Sequence, residues 1–192
     1  DVNYEMASKL AKAIVDSGSD GLVIGGTTGE APTISDDEKL KLFSVIKESI
    51  GSDHALIAGT TNNNTKESIK LSKLAESKNV DGLLLTVPSY NKPTQDGLYQ
   101  HFKAISEEVS IPCILYNVPS RTSLNMDDET TVKLSELKNI IGIKEASNDL
   151  DQITRIINNT SADFKVWSGN DNETLYIMAA GGYGIVSVAG HI

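Results

Sequence analysis

Short apolar runs rich in valine, isoleucine and leucine recur along the chain, separated by longer amphipathic stretches. The runs are apolar at nearly every position, which is typical of strands buried on both faces of a parallel sheet. Seven of them occur, at residues 21–25, 55–59, 82–87, 112–117, 140–144, 164–168 and 184–188. Successive runs are separated by about the length of a crossover helix, so the pattern predicts repeated β/α units.

The stretches between the runs carry apolar residues at helical spacing and polar residues that can cap a helix. A helix is predicted over residues 4–17. Ser35 and Glu38 have the spacing of a capping box in front of another helix. Thr65 is expected to cap a third helix, and two more are expected to begin at Asp127 or Asp128 and at Asp149.

Repeated β/α units can form either an open doubly wound sheet or a (β/α)₈ barrel. A barrel needs eight strands, and seven of the eight are visible in residues 1–192. The chain opens on a helix and stops after the last apolar run, so we expect that a first strand and a C-terminal helical region are missing. No linker or low-complexity tract interrupts the pattern, which predicts a single domain.

Composition and charge narrow the classes of function. The net charge is −9, and the 17 basic residues are scattered, so we expect neither nucleic acid nor a membrane as a partner. No apolar run approaches the ~20 residues that cross a bilayer. The three histidines are far apart and match no metal-ligand spacing, so no metal site is expected. The single cysteine, Cys113, lies in an apolar run and fits a reducing cytoplasm.

Polar residues collect just after the ends of the apolar runs. Gly-Gly-Thr-Thr-Gly-Glu occupies residues 25–30, Tyr90 follows the third run, and Arg121 follows the fourth, which itself contains Tyr116. In either parallel architecture the carboxyl ends of the strands share one face, where barrel enzymes carry their chemistry. These side chains can therefore converge despite their separation in sequence.

Lys144 lies at the end of the run Ile-Ile-Gly-Ile-Lys, where a buried strand is expected. Burial disfavours the ammonium form, so the pKa of this lysine should fall below its ordinary ~10.4. A neutral amine can condense with a keto group to form a Schiff base. The alternative is that Lys144 extends from the strand end into solvent and has a structural role only.

The surrounding residue types fit such a reaction. Tyrosine and threonine hydroxyls can move the protons that Schiff-base and enamine formation require. Thr28 and the backbone N–H groups of the glycine-rich turn can hold one carboxylate, and Arg121 can hold a second. The combination favours a 2-oxo acid that meets a second acidic substrate. Each residue also has a structural interpretation: a tight turn at residues 25–29, barrel packing for Tyr116, and a surface charge for Arg121.

Four segments together resemble the dihydrodipicolinate synthase family of the pyruvate-dependent class I aldolase superfamily. They are residues 25–30 (GGTTGE), 90–95 (YNKPTQ), 115–122 (LYNVPSRT) and 142–146 (GIKEA), with weaker support from residues 168–171 and 184–188. The resemblance extends over essentially the whole chain. It implies a (β/α)₈ barrel fold.

The resemblance also implies roles for residues in a catalytic centre. Lys144 would form the Schiff base with pyruvate, and Tyr116 would be the general acid and base above it. Thr27 and Tyr90 would be partners of Tyr116 in a proton relay. Tyr90 would reach in from a neighbouring subunit, so a homodimer or homotetramer is expected.

Three further residues would bind the substrates. By the resemblance, Thr28 would bind the carboxylate of pyruvate, and the carbonyl of Val186 would line the same pocket. Arg121 would bind the carboxylate of L-aspartate 4-semialdehyde. The product would be 4-hydroxy-tetrahydrodipicolinate, in lysine and diaminopimelate biosynthesis, and no cofactor is expected.

One departure concerns the regulatory lysine site of the family. Asn63 and Glu67 match that site, but Ser89 replaces a tyrosine that helps to line it. Asp36 and Lys39 stand where inhibited members tend to have histidines. We therefore expect weak or absent inhibition by lysine.

Two alternatives to the synthase remain at this stage. Another pyruvate aldolase, such as an N-acetylneuraminate lyase or a 2-keto-3-deoxy sugar acid aldolase, would share the lysine and tyrosine chemistry. Arg121 favours a short acidic aldehyde over a long polyol. A protein that binds a 2-oxo acid without turnover is the alternative from another class, and the retained lysine, tyrosines and arginine argue against it.

Overall fold

Seven parallel strands form one sheet in the computed structural model, which describes residues 2–191. The strands are β1 (Gly21–Ile24), β2 (Ala55–Gly59), β3 (Gly82–Thr86), β4 (Cys113–Asn117), β5 (Ile140–Glu145), β6 (Lys165–Ser168) and β7 (Gly184–Ile185). Each strand pairs with the next along the chain, so the order in the sheet is the order in sequence. A doubly wound sheet reverses its strand order, whereas a barrel does not. The order therefore favours the barrel, and the sheet curls as part of one.

Helices connect the strands. They are α1 (Tyr4–Asp16), α2 (Asp36–Ile50), α3 (Thr65–Glu76), α4 (Gln95–Ser106), α5 (Pro119–Thr122), α6 (Asp128–Ser135), α7 (Leu150–Asn159) and α8 (Thr174–Ala179). Short 3₁₀ turns occur at Ala31–Thr33, Asp171–Glu173 and Ala189–His191. Over residues 2–191, no helix combines the length and the apolar character that crossing a membrane requires.

All seven predicted strands are confirmed, but β7 contains only Gly184 and Ile185 where residues 184–188 were predicted. The capping box of Ser35 and Glu38 is present at the start of α2. The predicted cap of α3 is wrong by one residue. Asn64 is the cap, because its side chain accepts hydrogen bonds from the two amides that follow Thr65, and Thr65 is the first helical residue.

The other two predicted helix starts are confirmed. Asp127 caps α6 by accepting a hydrogen bond from the Thr130 amide, and Asp149 caps α7 in the same way through Gln152. Both carboxylates also face the positive end of the helix dipole. The caps fix where each crossover helix leaves the carboxyl ends of the strands.

Two hydrophobic clusters lie on the two faces of the sheet. The larger one packs the helices against the strands and includes Phe43, Phe102 and Leu115. The smaller one is built from alternate residues of neighbouring strands and from Trp167, which packs against them. Its buried members are Leu84, Ile114, Tyr116, Val118 and Ala146. Side chains alternate between the two faces of a strand, so the members of this smaller cluster share one face of the sheet, the concave face that is turned away from the helices.

Candidate active site

Lys144 and Tyr116 lie side by side on the concave face. They are direct partners in the register between β4 and β5. The Nζ atom of Lys144 lies 4.2 Å from the centroid of the Tyr116 ring. Lys144 is 8% exposed and Tyr116 is 5% exposed. The amine is thus held against an aromatic face and is largely shielded from water.

The surroundings make the Lys144 amine easier to deprotonate. Burial lowers its pKa to about 8, because the ammonium form loses hydration. The positive charge of Arg121 contributes to this lowering, while the negative charge of Asp171 opposes it. A pKa near 8 leaves about a tenth of the amine neutral at pH 7, against less than about a thousandth for an ordinary lysine.

The Tyr116 hydroxyl stays protonated near neutral pH. Burial raises the pKa of Tyr116, and the nearby Arg121 guanidinium partly offsets this effect. The phenol is therefore available as a proton donor beside the amine. The arrangement places an amine that is partly neutral, and so nucleophilic, beside a phenol that carries its proton and can act as an acid.

Gly169 makes room for the lysine side chain. A Cβ atom at this position would lie 3.1 Å from Cε of Lys144 and 2.9 Å from Cβ of Ala146. The amide of Gly169 donates to the Glu145 carbonyl (2.7 Å), which ties the end of β6 to the end of β5. This role of Gly169 was not predicted; its signals in the sequence are a glycine directly after a predicted strand and a place in the weakly matching segment 168–171.

Asp171 is a second residue near Lys144 for which no role was predicted. Its carboxylate accepts a hydrogen bond from the Ser187 hydroxyl. That bond, together with backbone N–H groups of Val188 and Ala189, lowers the pKa of Asp171. The carboxylate therefore stays ionised, fixes the segment after β7, and adds a negative charge near Lys144.

Thr27 and Thr28 follow β1 in two consecutive tight turns. Gly25 adopts a φ of 71°, a left-handed conformation that glycine tolerates best. The amide of Gly29 then bonds to the Gly26 carbonyl (3.1 Å), and the amide of Glu30 bonds to the Thr27 carbonyl (3.2 Å). Thr27 is half-buried and Thr28 is exposed. Both lie at the carboxyl end of the sheet, as does the Lys144–Tyr116 pair.

Tyr90 and Val186 differ in how they are held. Tyr90 follows β3, is 90% exposed, and has a left-handed φ of 74°. The fold of the single chain thus leaves its ring in solvent. Val186 follows β7, and its amide donates to the Ser168 carbonyl (2.9 Å).

Arg121 lies on the short helix α5, directly after β4. The buried Thr122 hydroxyl donates to the carbonyls of Val118 (3.2 Å) and Leu124 (2.9 Å) and so holds this turn. Arg121 itself is exposed. Its influence on the pKa values of both Lys144 and Tyr116 shows that its charge reaches the pair.

The predicted regulatory residues lie at the start of α3. Asn63 precedes α3 and Glu67 lies in its first turn, and both are exposed. The Ser89 hydroxyl donates to Oδ1 of Asn63 at 3.4 Å. In the part of the chain that the structure describes, no group of histidine, cysteine, aspartate and glutamate side chains could hold a metal ion.

Comparisons with known proteins agree on one family. The model of the dihydrodipicolinate synthetase family matches residues 1–192. The 4-hydroxy-tetrahydrodipicolinate synthases of Moorella thermoacetica and Dehalococcoides mccartyi are 56% and 54% identical over 191 residues, which cover 100% of this chain. The chain spans 65% and 64% of the lengths of these two relatives.

The fold comparison gives the same result. A crystal structure of dihydrodipicolinate synthase from Bacillus anthracis superposes with a TM-score of 0.98 and 45% sequence identity. The superposition covers 100% of this chain and 66% of the other. The predicted barrel class is confirmed by this match.

Proposed function

Because the chain belongs to the dihydrodipicolinate synthetase family, we propose that it carries the active site of a 4-hydroxy-tetrahydrodipicolinate synthase. The observation that carries the proposal is the partly neutral amine of Lys144 against the buried phenol of Tyr116. The substrates are pyruvate and L-aspartate 4-semialdehyde. The reaction belongs to lysine and diaminopimelate biosynthesis.

The first half of the reaction uses Lys144 as the nucleophile. Its neutral amine attacks the C2 carbon of pyruvate, and the carbinolamine oxygen leaves as water after it accepts a proton from Tyr116. The deprotonated Tyr116 then accepts a proton from the pyruvate methyl group, which converts the iminium into an enamine. Thr27 and Tyr90 are the proposed relay that returns protons to Tyr116.

In the second half the enamine carbon attacks the aldehyde carbon of L-aspartate 4-semialdehyde, and the aldehyde oxygen accepts a proton from Tyr116 to become a hydroxyl group. The amine of that substrate then attacks the iminium carbon, which closes the ring and releases Lys144 as a free amine. Thr28 and the Val186 carbonyl hold the pyruvate end. Arg121 binds the carboxylate of the second substrate through two parallel hydrogen bonds.

The exposure of Tyr90 supports the proposed assembly. Its ring is 90% exposed in one chain, so a relay that includes it needs a neighbouring subunit to bring it to Tyr116. We therefore retain a homodimer or homotetramer as part of the proposal. A cytoplasmic location and a regulatory site at Asn63 and Glu67, with weak or absent inhibition by lysine, belong to the same proposal and stay predictions.

The sugar-acid aldolases and a 2-oxo acid sensor are the competing functions. The relatives at 54% and 56% identity carry the name of the synthase, which supports the short acidic aldehyde as the second substrate. Turnover of sugar aldehydes alone would contradict this choice. Reversible pyruvate binding that survives Lys144→Ala would favour a sensor.

Borohydride reduction in the presence of pyruvate tests the proposal. We expect a pyruvyl adduct on the peptide that contains Lys144, found by mass mapping. Lys144→Ala should give none, and the exposed Lys66 should stay unmodified in both proteins. Absence of the adduct from the folded wild-type chain, with folding followed by Trp167 fluorescence, would contradict the proposed chemistry.

A further inference from the structure

Glu145, the residue after Lys144, is a buried carboxyl group that the proposed reaction does not use. Its side chain is 0% exposed. Side chains alternate along β5, so Glu145 points to the face of the sheet opposite to Lys144, towards the helices. Over residues 2–191, no lysine or arginine forms a salt bridge with it. A buried carboxyl without a cation is costly unless its oxygens accept several hydrogen bonds.

Three different segments donate to this carboxyl group. Nδ2 of Asn117 in β4 lies 3.1 Å from one oxygen and 3.3 Å from the other. The amide of Ser147, after β5, donates to Oε1 at 2.9 Å. Nε2 of Gln152 in α7 lies 3.5 Å from Oε2. The carboxyl group thus joins two neighbouring strands and the helix that follows them.

The same network reaches the loop before α6. Asn117 accepts a hydrogen bond from the Met126 amide (3.1 Å) and donates to Oδ1 of Asn125 (2.8 Å). Nδ2 of Asn125 donates to Oε1 of Gln152 (2.7 Å). The network therefore closes on itself through side chains of three elements, and polar networks of this kind are rigid when all their members are bonded.

The network lies one residue from the reacting pair in both strands. Asn117 pairs with Glu145 in the register of β4 and β5, as Tyr116 pairs with Lys144. The two pairs are adjacent, and they point to opposite faces of the sheet. A constraint on Asn117 and Glu145 is therefore a constraint on the strand ends that hold the amine and the phenol.

We propose that Glu145 is a positioning residue, which holds the ends of β4 and β5 together so that the Lys144 amine stays buried against Tyr116. The proposal deepens the function proposed above and rests on it for its biological meaning. The donors around Glu145 offer N–H groups to both oxygens, which suits the ionised form of the carboxyl group. Burial raises the pKa of Glu145 to about 7, and the hydrogen bonds from Asn117, Ser147 and Gln152 oppose that rise.

The environment of the Lys144 amine is the direct test, and it can be read without any turnover. Lysines of the full chain are acetylated with limiting acetic anhydride at a series of pH values. Peptide mapping then gives the titration midpoint of Lys144. The proteins are wild type, Glu145→Gln and Glu173→Gln. Glu173 is the matched control, because it is also a buried carboxyl group bonded to an asparagine, Asn170, at 2.8 Å.

Under the proposal, Glu145→Gln loosens the strand ends, water reaches the amine, and the midpoint of Lys144 rises by about one pH unit. Glu173→Gln should leave the midpoint unchanged. A fall of the midpoint in Glu145→Gln would overturn the proposal, because it would mean that the carboxylate acts only through its charge. An unchanged midpoint with a lower melting temperature would also overturn it, since Glu145 would then stabilise the fold without positioning the lysine.

A second variant keeps the test usable if Glu145→Gln does not fold. Gln152→Leu removes one donor from the carboxyl group and preserves the approximate size of the side chain. It should raise the midpoint in the same direction by a smaller amount, and no rise would overturn the proposal. The absence of a pyruvyl adduct on wild-type Lys144 would count against the proposed reaction. The pH midpoint of Lys144 acetylation tests the role of Glu145 separately, because it needs no turnover.

Discussion

The amine of Lys144 lies 4.2 Å from the centre of the Tyr116 ring because the two residues are direct partners in the register of β4 and β5. A shift of one residue between these strands would turn one of the two side chains to the opposite face of the sheet. The chemistry of the candidate site therefore depends on a backbone register.

The first prediction concerns the pH dependence of adduct formation. The rate at which borohydride traps pyruvate on Lys144 should rise with pH and level off above about 8, the pKa of its amine. The sign follows from the need for a neutral nucleophile. The measurement is the initial trapping rate at saturating pyruvate across a pH series. A rate that keeps rising with pH up to ~10.4, the ordinary pKa of lysine, would contradict the prediction.

The second prediction distinguishes the contribution of the Tyr116 hydroxyl group from that of its aromatic ring. Tyr116→Phe keeps the aromatic surface against Lys144 but removes the proton donor, so enamine formation should slow by about 10²-fold. The assay is deuterium incorporation into the methyl group of pyruvate, followed by NMR in D₂O. A variant that exchanges as fast as wild type would show that the phenol does not transfer the proton.

The third prediction concerns Arg121. Arg121→Ala removes a cation that lowers the pKa of Lys144, so the pH midpoint of trapping should rise. The same variant should raise the KM for L-aspartate 4-semialdehyde by about tenfold or more.

Arg121→Lys is the matched control for that experiment. It keeps the charge but loses the planar fork, so the trapping midpoint should stay near that of wild type while the KM for the aldehyde still rises. If the KM for L-aspartate 4-semialdehyde is normal in both variants, Arg121 does not bind this substrate.

The fourth prediction concerns the space beside the lysine. Gly169→Ala would bring a methyl group to 3.1 Å from Cε of Lys144 and 3.0 Å from the Glu145 carbonyl. We expect a loss of about 1–3 kcal/mol in the free energy of unfolding, together with slower trapping of pyruvate. Urea denaturation and the borohydride assay measure the two effects.

Gly190→Ala is the control for added volume. A Cβ atom there would meet its nearest neighbour, Ser187, at 3.5 Å, which is an ordinary contact. If both variants trap pyruvate at the wild-type rate, the lysine tolerates a displaced neighbour and Gly169 has no special role.

The fifth prediction concerns regulation. With Ser89 beside Asn63, and with Asp36 and Lys39 in place of the histidines expected of inhibited members, we expect lysine to inhibit turnover weakly or not at all. A steady-state assay with added lysine is the measurement. Half-inhibition at sub-millimolar lysine would show the expectation to be wrong.

The sequence alone determined the repeating architecture. Apolar runs and cap residues are local signals, so all seven strands and three of the four predicted caps are found where the pattern indicated them. The cap of α3 differs because Asn64 and Thr65 are adjacent and both can cap, and only the turn of the backbone decides between them. The family resemblance was also available from short motifs.

Tertiary structure decided what surrounds Lys144. The sequence indicated a lysine at a strand end, but the register with Tyr116 required the pairing of β4 and β5. Gly169 and the Glu145 network emerge only when segments far apart in sequence are packed together. Local patterns report the period and polarity of one segment, whereas the depth of a side chain and the partners of a buried carboxyl group depend on how several segments meet.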